Sequence, residues 1–276
     1  MPSRAALLRA VKTGAVAADR LRGLATGSRN RRGIVVLAYH RVGGGSASEI
    51  DLDPVQFADH LAYIGARAAR LGDALTALDG APPDGPDPIV VTFDDGTADV
   101  VEHAVPLLVE AKVPALLYLA TSFVDRAGEA PMGGTCLSWA ALADAVATGY
   151  LEIGSHTHEH VLLDRLDPAA ARADLDRSIG LIEDRLGVHP DDFAYPKAMA
   201  PSAAVDALVR ARFRSAALAG TRSNGYGRTD PWRLARSPVQ ASDGDRWFRA
   251  KAEGGMALEG ALRVLLNRRR YVGATT

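Results

Sequence analysis

Ile89-Val90-Val91-Thr92-Phe93-Asp94-Asp95-Gly96 decides how this chain folds. Three β-branched residues followed by Thr and Phe make the short apolar run of a strand buried on both faces. The turn-rich stretch from Asp79 to Pro88 precedes it, and Gly96 ends it. The run delivers two adjacent carboxylates to the strand's carboxyl end, where α/β folds usually bind their ligands. Two ionised carboxylates side by side repel and resist desolvation, so a site holding both tends to bind metal or to shift a pKa. Taken alone, Asp-Asp-Gly also reads as a surface turn; a second stretch overturns that reading.

Outward from this run, strand-length apolar segments recur. Gly33 to His40, Ala115 to Ala120, Leu151 to Gly154, Asp192 to Pro196, Ser215 to Ala219 and Trp232 to Arg236 all read as strands. Helical spacing fills the intervals. Pro54 suits the first turn of a helix running to about Leu71, with Val55, Leu61, Ile64 and Leu71 on one face. Ala98 to Lys112 is helical, Ser138 suits an N-cap, and Asp167-Pro168 opens a helix that ends at Gly187. Ala203 to Phe213 and Met256 to Arg270 complete the set. Strand and helix alternate seven times, which implies an α/β fold of parallel strands with right-handed crossovers, as an open sheet or a barrel. No Pro/Ser-rich linker or repeat interrupts the middle. One domain is expected over 33–255, with a basic extension over 1–32 and a helix and tail over 256–276.

Composition narrows the functional classes. The 276 residues have ordinary apolar and charged fractions, and a formal net charge of -1 gives no reason to expect nucleic acid. The single Cys136 can form neither an internal disulfide nor a thiolate zinc site. Residues 1–32 carry eight Lys/Arg and one acid, Asp19, with apolar residues at roughly helical spacing. They lack the continuous apolar core of a secretory signal and are too polar to span a bilayer. A basic amphipathic helix can associate with an anionic membrane surface, and a solvated extension is the blander alternative. A cytoplasmic or membrane-peripheral location is expected on these grounds.

The second decisive stretch is Gly154-Ser155-His156-Thr157-His158-Glu159-His160, which gathers three of the chain's seven histidines directly after a short strand. Neutral imidazoles are the commonest metal ligands, and residues four apart converge on one ion if the segment turns helically. A parallel sheet or barrel brings the Asp-Asp and His-rich strand ends to one face. Two histidines and one carboxylate leave a coordination position open for water, the arrangement of hydrolytic zinc. The remaining Asp is then free to act as a general base.

These residues resemble the polysaccharide deacetylases of the NodB-homology type, carbohydrate esterase family 4. Thr92-Phe93-Asp94-Asp95-Gly96 is similar to that family's first motif and His156-Thr157-His158-Glu159-His160 to its second. The resemblance spans about Ile34 to Arg236. It implies a distorted (β/α)7 barrel that removes N-acetyl or O-acetyl groups from sugars with a divalent metal, usually zinc. By position, Asp94 is the expected base, and Asp95, His156 and His160 are the expected metal ligands. His158 falls at a variable position and reads as a surface or supporting residue.

Weaker matches follow. Phe193-Ala194-Tyr195-Pro196 is similar to the third motif, a groove wall, but many members carry Arg where Ala194 stands. Asp230-Pro231-Trp232-Arg233-Leu234-Ala235-Arg236 is similar to the fourth, so Arg233 or Arg236 is a candidate partner for the catalytic Asp. Tyr195, Pro196, Trp139, Trp232 and Arg236 are the candidate substrate contacts. The family's final Leu-x-x-His is missing, since no histidine follows His189. Tyr39-His40-Arg41-Val42 instead resembles the subgroup acting on exopolysaccharide poly-N-acetylglucosamine, which makes His40 a candidate general acid. The expected reaction is metal-assisted removal of an acetyl group, chiefly N-acetyl, from an amino-sugar glycan or sugar conjugate. An O-acetyl esterase, a non-sugar amidase and a non-catalytic carbohydrate-binding protein are the alternatives.

Overall fold

The computed structural model describes residues 32–262 apart from 127, 129, 131 and 132, and outside that range only 13, 14 and 265. The expected basic extension and most of the 256–276 tail therefore lie outside the described residues. Each apolar run forms a strand: β1 (Gly33–Tyr39), β2 (Ile89–Asp95), β3 (Ala115–Leu119), β4 (Leu151–Ser155), β5 (Asp192–Ala194), β6 (Ser215–Ala219) and β7 (Leu234–Pro238). They pair in parallel in sequence order, and β7 returns to β1 through Val36↔Arg236, Leu37↔Ser237 and Ala38↔Pro238. That last pairing closes a seven-stranded (β/α) barrel.

All seven residues of β2 are buried, because each face of the strand has its own apolar partner. Side chains of alternate residues, Ile34, Val36, Val90, Leu116, Tyr118, Ala217 and Leu234 among them, fill the barrel interior. The helix α2 (Leu71–Leu78) adds Leu71, Ala74 and Leu78 to that cluster and plugs the amino end of the barrel. The opposite parity, including Val35, Leu37, Val91, Phe93 and Leu117, packs outward against the surrounding helices. Those helices are α1 (Pro54–Ile64), α3 (Val105–Ala111), α5 (Trp139–Ala147) and α8 (Gly244–Ala252). A third cluster joins Phe193 and Ala216 to α6 (Pro168–Leu186) and α7 (Ala203–Arg210). Each large side chain so buried contributes roughly 1.5–3 kcal/mol.

Two expectations need correction. The first helix stops at Ile64 instead of running to Leu71, because Gly65 turns the chain at φ 46° and a short 3₁₀ turn follows before α2. Within α1 the buried face is Phe57, His60, Leu61 and Ile64, while Val55 is 70% exposed. Val55 precedes Phe57 by two residues, which places it on the opposite side of a 3.6-residue turn. The helix after β2 also opens on a π turn, Val100–Ala104. Pro106 lacks the N–H that would bond the carbonyl four residues back.

Candidate metal centre and cleft

The carboxyl ends of the strands converge on one cleft of about 440 Å³, lined by His40, Asp94, Asp95, His156, His160 and Arg236 among others. Period two explains who faces it. Ile34, Val36, Ala38 and His40 share one face of β1 and its extension; Val90, Thr92 and Asp94 share one face of β2; Leu234, Arg236 and Pro238 share one face of β7. Asp94 therefore enters the barrel mouth, and Arg236 meets it there with a two-pronged ion pair, Nη1–Oδ1 2.5 Å and Nη2–Oδ2 2.8 Å. Arg236 Nη1 also donates to Thr92 Oγ1 (3.3 Å), and its guanidinium lies over the Tyr118 ring at 4.9 Å. The Tyr118 ring fits because Gly154 faces it from β4: a Cβ there would stand 2.9 Å from Tyr118 and 2.7 Å from the Asp192 carbonyl oxygen.

Asp94 and Asp95 are both buried. Burial by itself would raise the Asp94 carboxyl, but Arg236, His156 and His40 outweigh it and hold the pKa below its ordinary value. Asp95 likewise overcomes burial, through His160, His40 and His156, and lies far below the usual carboxylate range. Both are carboxylates at neutral pH.

Asp95, His156 and His160 each offer one ligand atom, and these atoms lie within 4.8 Å of one another. Asp95 Oδ1 is 3.2 Å from His160 Nε2 and 3.7 Å from His156 Nε2. His156 Nδ1 is 2.7 Å from the Ala194 carbonyl oxygen, so the proton sits on Nδ1 and the Nε2 lone pair faces the cluster. Burial lowers the His156 pKa to about 4, which keeps the imidazole neutral. Nitrogen, nitrogen and oxygen donors at this spacing fit a divalent cation with a coordination position to spare.

The backbone is strained at this centre. Asp95, Thr157 and His160 adopt φ values of 75°, 69° and 55°, a left-handed conformation costing about 1–2 kcal/mol for each non-glycine residue. Surrounding bonds enforce it. Asp174 on α6 accepts from the His158 N–H (2.8 Å) and the Glu159 N–H (3.0 Å). Thr121 Oγ1 meets His158 Nδ1 at 2.8 Å, and Ser122 N–H donates to the His158 carbonyl. His158 is thereby buried rather than at the surface, and its side chain anchors the loop to α4 (Thr121–Arg126). Gly96 takes φ 102°, a conformation that favours glycine, and a Cβ there would also press on Leu119 Cδ1 at 2.6 Å.

The remaining candidates separate. His40 Nε2 is 3.9 Å from Asp94 Oδ2, and its Nδ1 is buried with no hydrogen-bond partner. Arg233 pairs with Asp206 at 3.0 Å and does not reach Asp94. Tyr195 lines the cleft but is 1% exposed, its hydroxyl donating to Asp206 at 2.9 Å. Pro196, Trp139 and Trp232 are absent from the lining. The Trp139 indole donates to Asp125, and that of Trp232 to the Phe213 carbonyl, with Arg210 over its ring. Each indole N–H is thus engaged by the protein, outside the lining of this cleft. Sequence reading missed Asp174, which is one of four acids in its helix and carries no distinguishing signal. It also missed Lys197, Ser48 and Gln240, polar residues of the cleft wall.

Comparison with known proteins agrees with this geometry. Residues 81–216 match the family model described as polysaccharide deacetylase. Over those residues the chain belongs to that family, and it is a hydrolase of the carbohydrate-deacetylating class. Among solved structures, IcaB from Ammonifex degensii is 26% identical with a TM-score of 0.68, over 81% of this chain and 97% of that one. The deacetylase PplD of Streptococcus pyogenes in complex with acetate is 17% identical, TM-score 0.69, over 80% and 99%. The BpsB deacetylase domain from Bordetella bronchiseptica is 20% identical, TM-score 0.62, over 75% and 95%. No curated protein matches the chain.

Proposed function

We propose that this protein hydrolyses the N-acetyl group of an amino-sugar glycan or glycoconjugate, with Asp94 as general base. One observation carries the reading: a buried carboxylate, clamped by Arg236 and kept ionised, stands beside an Asp/His/His cluster in an open cleft. A binding protein has no use for a carboxylate so held. The rival non-catalytic reading was motivated by the absent Arg at position 194; Arg236 fills that need from another strand.

Asp95, His156 and His160 are the residues that would hold a divalent cation, zinc by their donor chemistry. Such a cation supplies Lewis acidity to the acetyl carbonyl and acidifies water in the cleft. Asp94 takes the proton of the attacking water, and Arg236 keeps the carboxylate oriented toward the mouth. His40, beside Asp94, donates a proton to the leaving nitrogen, so that water and acetamide become acetate and amine. The Ala194 carbonyl fixes the tautomer of His156 throughout.

The test is acetate release by the zinc-loaded protein from N-acetylglucosamine oligomers, a nucleotide-linked N-acetyl sugar and acetyl-xylan. Acetate from an N-acetyl sugar, lost in Asp94→Asn while zinc remains bound, is the expected result. Release from acetyl-xylan alone would make it an O-acetyl esterase. Silence on all three by folded, zinc-bound protein would defeat the hydrolase reading.

A further inference from the structure

We infer that the glycan accepted by this cleft carries an anionic group, a carboxylate or a phosphate, and that Lys197 recognises it. The inference rests on the deacetylase reading and specifies its substrate class.

The cleft is not symmetrical about the barrel axis. From the Asp95 cluster it extends over the ends of β5, β6, β7 and β1, with Leu218, Ala219, Pro238 and Val239 as apolar surface and Lys197 on the wall. This is the side left for the substrate beyond the reacting acetyl group. Every other full charge in the lining already has a partner: Asp94 holds Arg236, and Asp95 faces His156 and His160. Among the described residues Lys197 makes no hydrogen bond and no ion pair, so its charge neutralises nothing in the protein.

Backbone conformation marks the segment that carries this half-buried side chain. Lys197 sits at φ 53° and Ala198 at φ 56°, two consecutive left-handed non-glycine residues in the turn Pro196–Ala198 directly after the buried Tyr195. Each costs about 1–2 kcal/mol, and glycine at either position would remove the cost. The neighbouring bonds enforce the turn: Ala198 N–H donates to the Tyr195 carbonyl (2.9 Å), and the Tyr195 hydroxyl is tied to Asp206. Strain maintained at a cleft wall is characteristic of ligand-contacting segments. An ammonium on a flexible stem suits a carboxylate or a phosphate oxygen equally; a neutral acetylated glycan offers it hydroxyl and carbonyl oxygens but no opposite charge.

The experiment compares kcat/KM for acetate release from three probes. These are a neutral N-acetylglucosamine oligomer, an oligomer alternating N-acetylglucosamine with a uronic acid, and N-acetylglucosamine 1-phosphate. Wild type, Lys197→Gln and Lys197→Arg are assayed with each. Expected is a preference for one anionic probe over the neutral oligomer, reduced about tenfold in Lys197→Gln and largely restored in Lys197→Arg. Whichever anionic probe shows the effect identifies the group. If the neutral oligomer is turned over and the anionic-to-neutral ratio is the same in wild type and Lys197→Gln, the inference is wrong and the deacetylase reading stands. No acetate from any probe overturns both.

Discussion

Replacing Arg236 by Met removes both hydrogen bonds to Asp94 while keeping most of the side-chain volume over Tyr118. The stranded carboxylate then has two responses. It can stay ionised, and breaking a buried pair from one side costs about 3–5 kcal/mol. Alternatively it can take up a proton. Raising its pKa from the ordinary 3.8 to neutrality, about 3 units, corresponds to about 4 kcal/mol at 1.36 kcal/mol per unit. The two costs are equal within their spread, so in the variant Asp94 should titrate near neutral pH.

The sign of the pH dependence reverses with it. In the native protein the Asp94 pKa lies below 3.8, so its contribution to stability is present above that pH and fades as pH falls through the native value. In Arg236→Met the pKa is raised, so the variant should lose stability as pH rises from 5 to 8. The acid limb of kcat/KM should move from the acid range to near pH 7, leaving activity at pH 9 closer to wild type than at pH 6. Urea denaturation at pH 5 and 8, with pH–rate profiles on a substrate established by acetate release, measures both effects. An acid limb unchanged in Arg236→Met, with stability equally unchanged, would refute the view that Arg236 governs the ionisation of Asp94.

Other perturbations separate the supporting parts. Asp174→Ala frees the His158 and Glu159 N–H groups and should weaken zinc binding about 10–100-fold, read by competition with a chromophoric chelator. Lys251, fully buried on α8, bonds Asp243 and the Pro238 carbonyl at 2.7 Å each. Lys251→Met should cost about 3–5 kcal/mol in urea denaturation, part of it recovered when Asp243→Asn is added.

The barrel was legible because a strand buried on both faces reads as a continuous apolar run, clearest in β1, β2 and β3. In β4, β5 and β7 the run is interrupted by Glu152, Asp192 and Arg236. The last strand began two residues later than the apolar pattern indicated, at Leu234, because Asp230 caps a 3₁₀ turn through Pro231–Arg233. That small shift matters chemically. From Leu234 onward, period two places Leu234, Arg236 and Pro238 on the barrel face and leaves Arg233 in the turn, free to pair with Asp206. The meeting of Asp95, His156 and His160 was readable because groups able to bind metal are few in kind and these sat at strand ends. The places of Trp139 and Trp232 outside the cleft lining were not legible, since an indole N–H bonds a carboxylate or a carbonyl within the protein with no spacing to mark it. Asp174 and Lys197 were hidden: neither a loop-bracing acid nor a left-handed lysine has a spacing that distinguishes it from surface charge.

The departures from the family pattern become intelligible as exchanges of position around a closed ring. The proposed base, Asp94, is held ionised by a fixed cation within hydrogen-bond reach, and the physics does not specify which strand provides it. The third motif holds Ala194, whose side chain offers nothing, yet its carbonyl orients His156. The cation comes instead from β7, two strands away, where the inward parity of Arg236 brings both guanidinium nitrogens onto Asp94. The same closure acts on the missing C-terminal histidine. β1 pairs with β7 through Ala38↔Pro238, and His40 stands one inward position beyond that pair, 3.9 Å from Asp94. A side chain lost from the final segment can thus be replaced from the first strand, because in a barrel the two are neighbours.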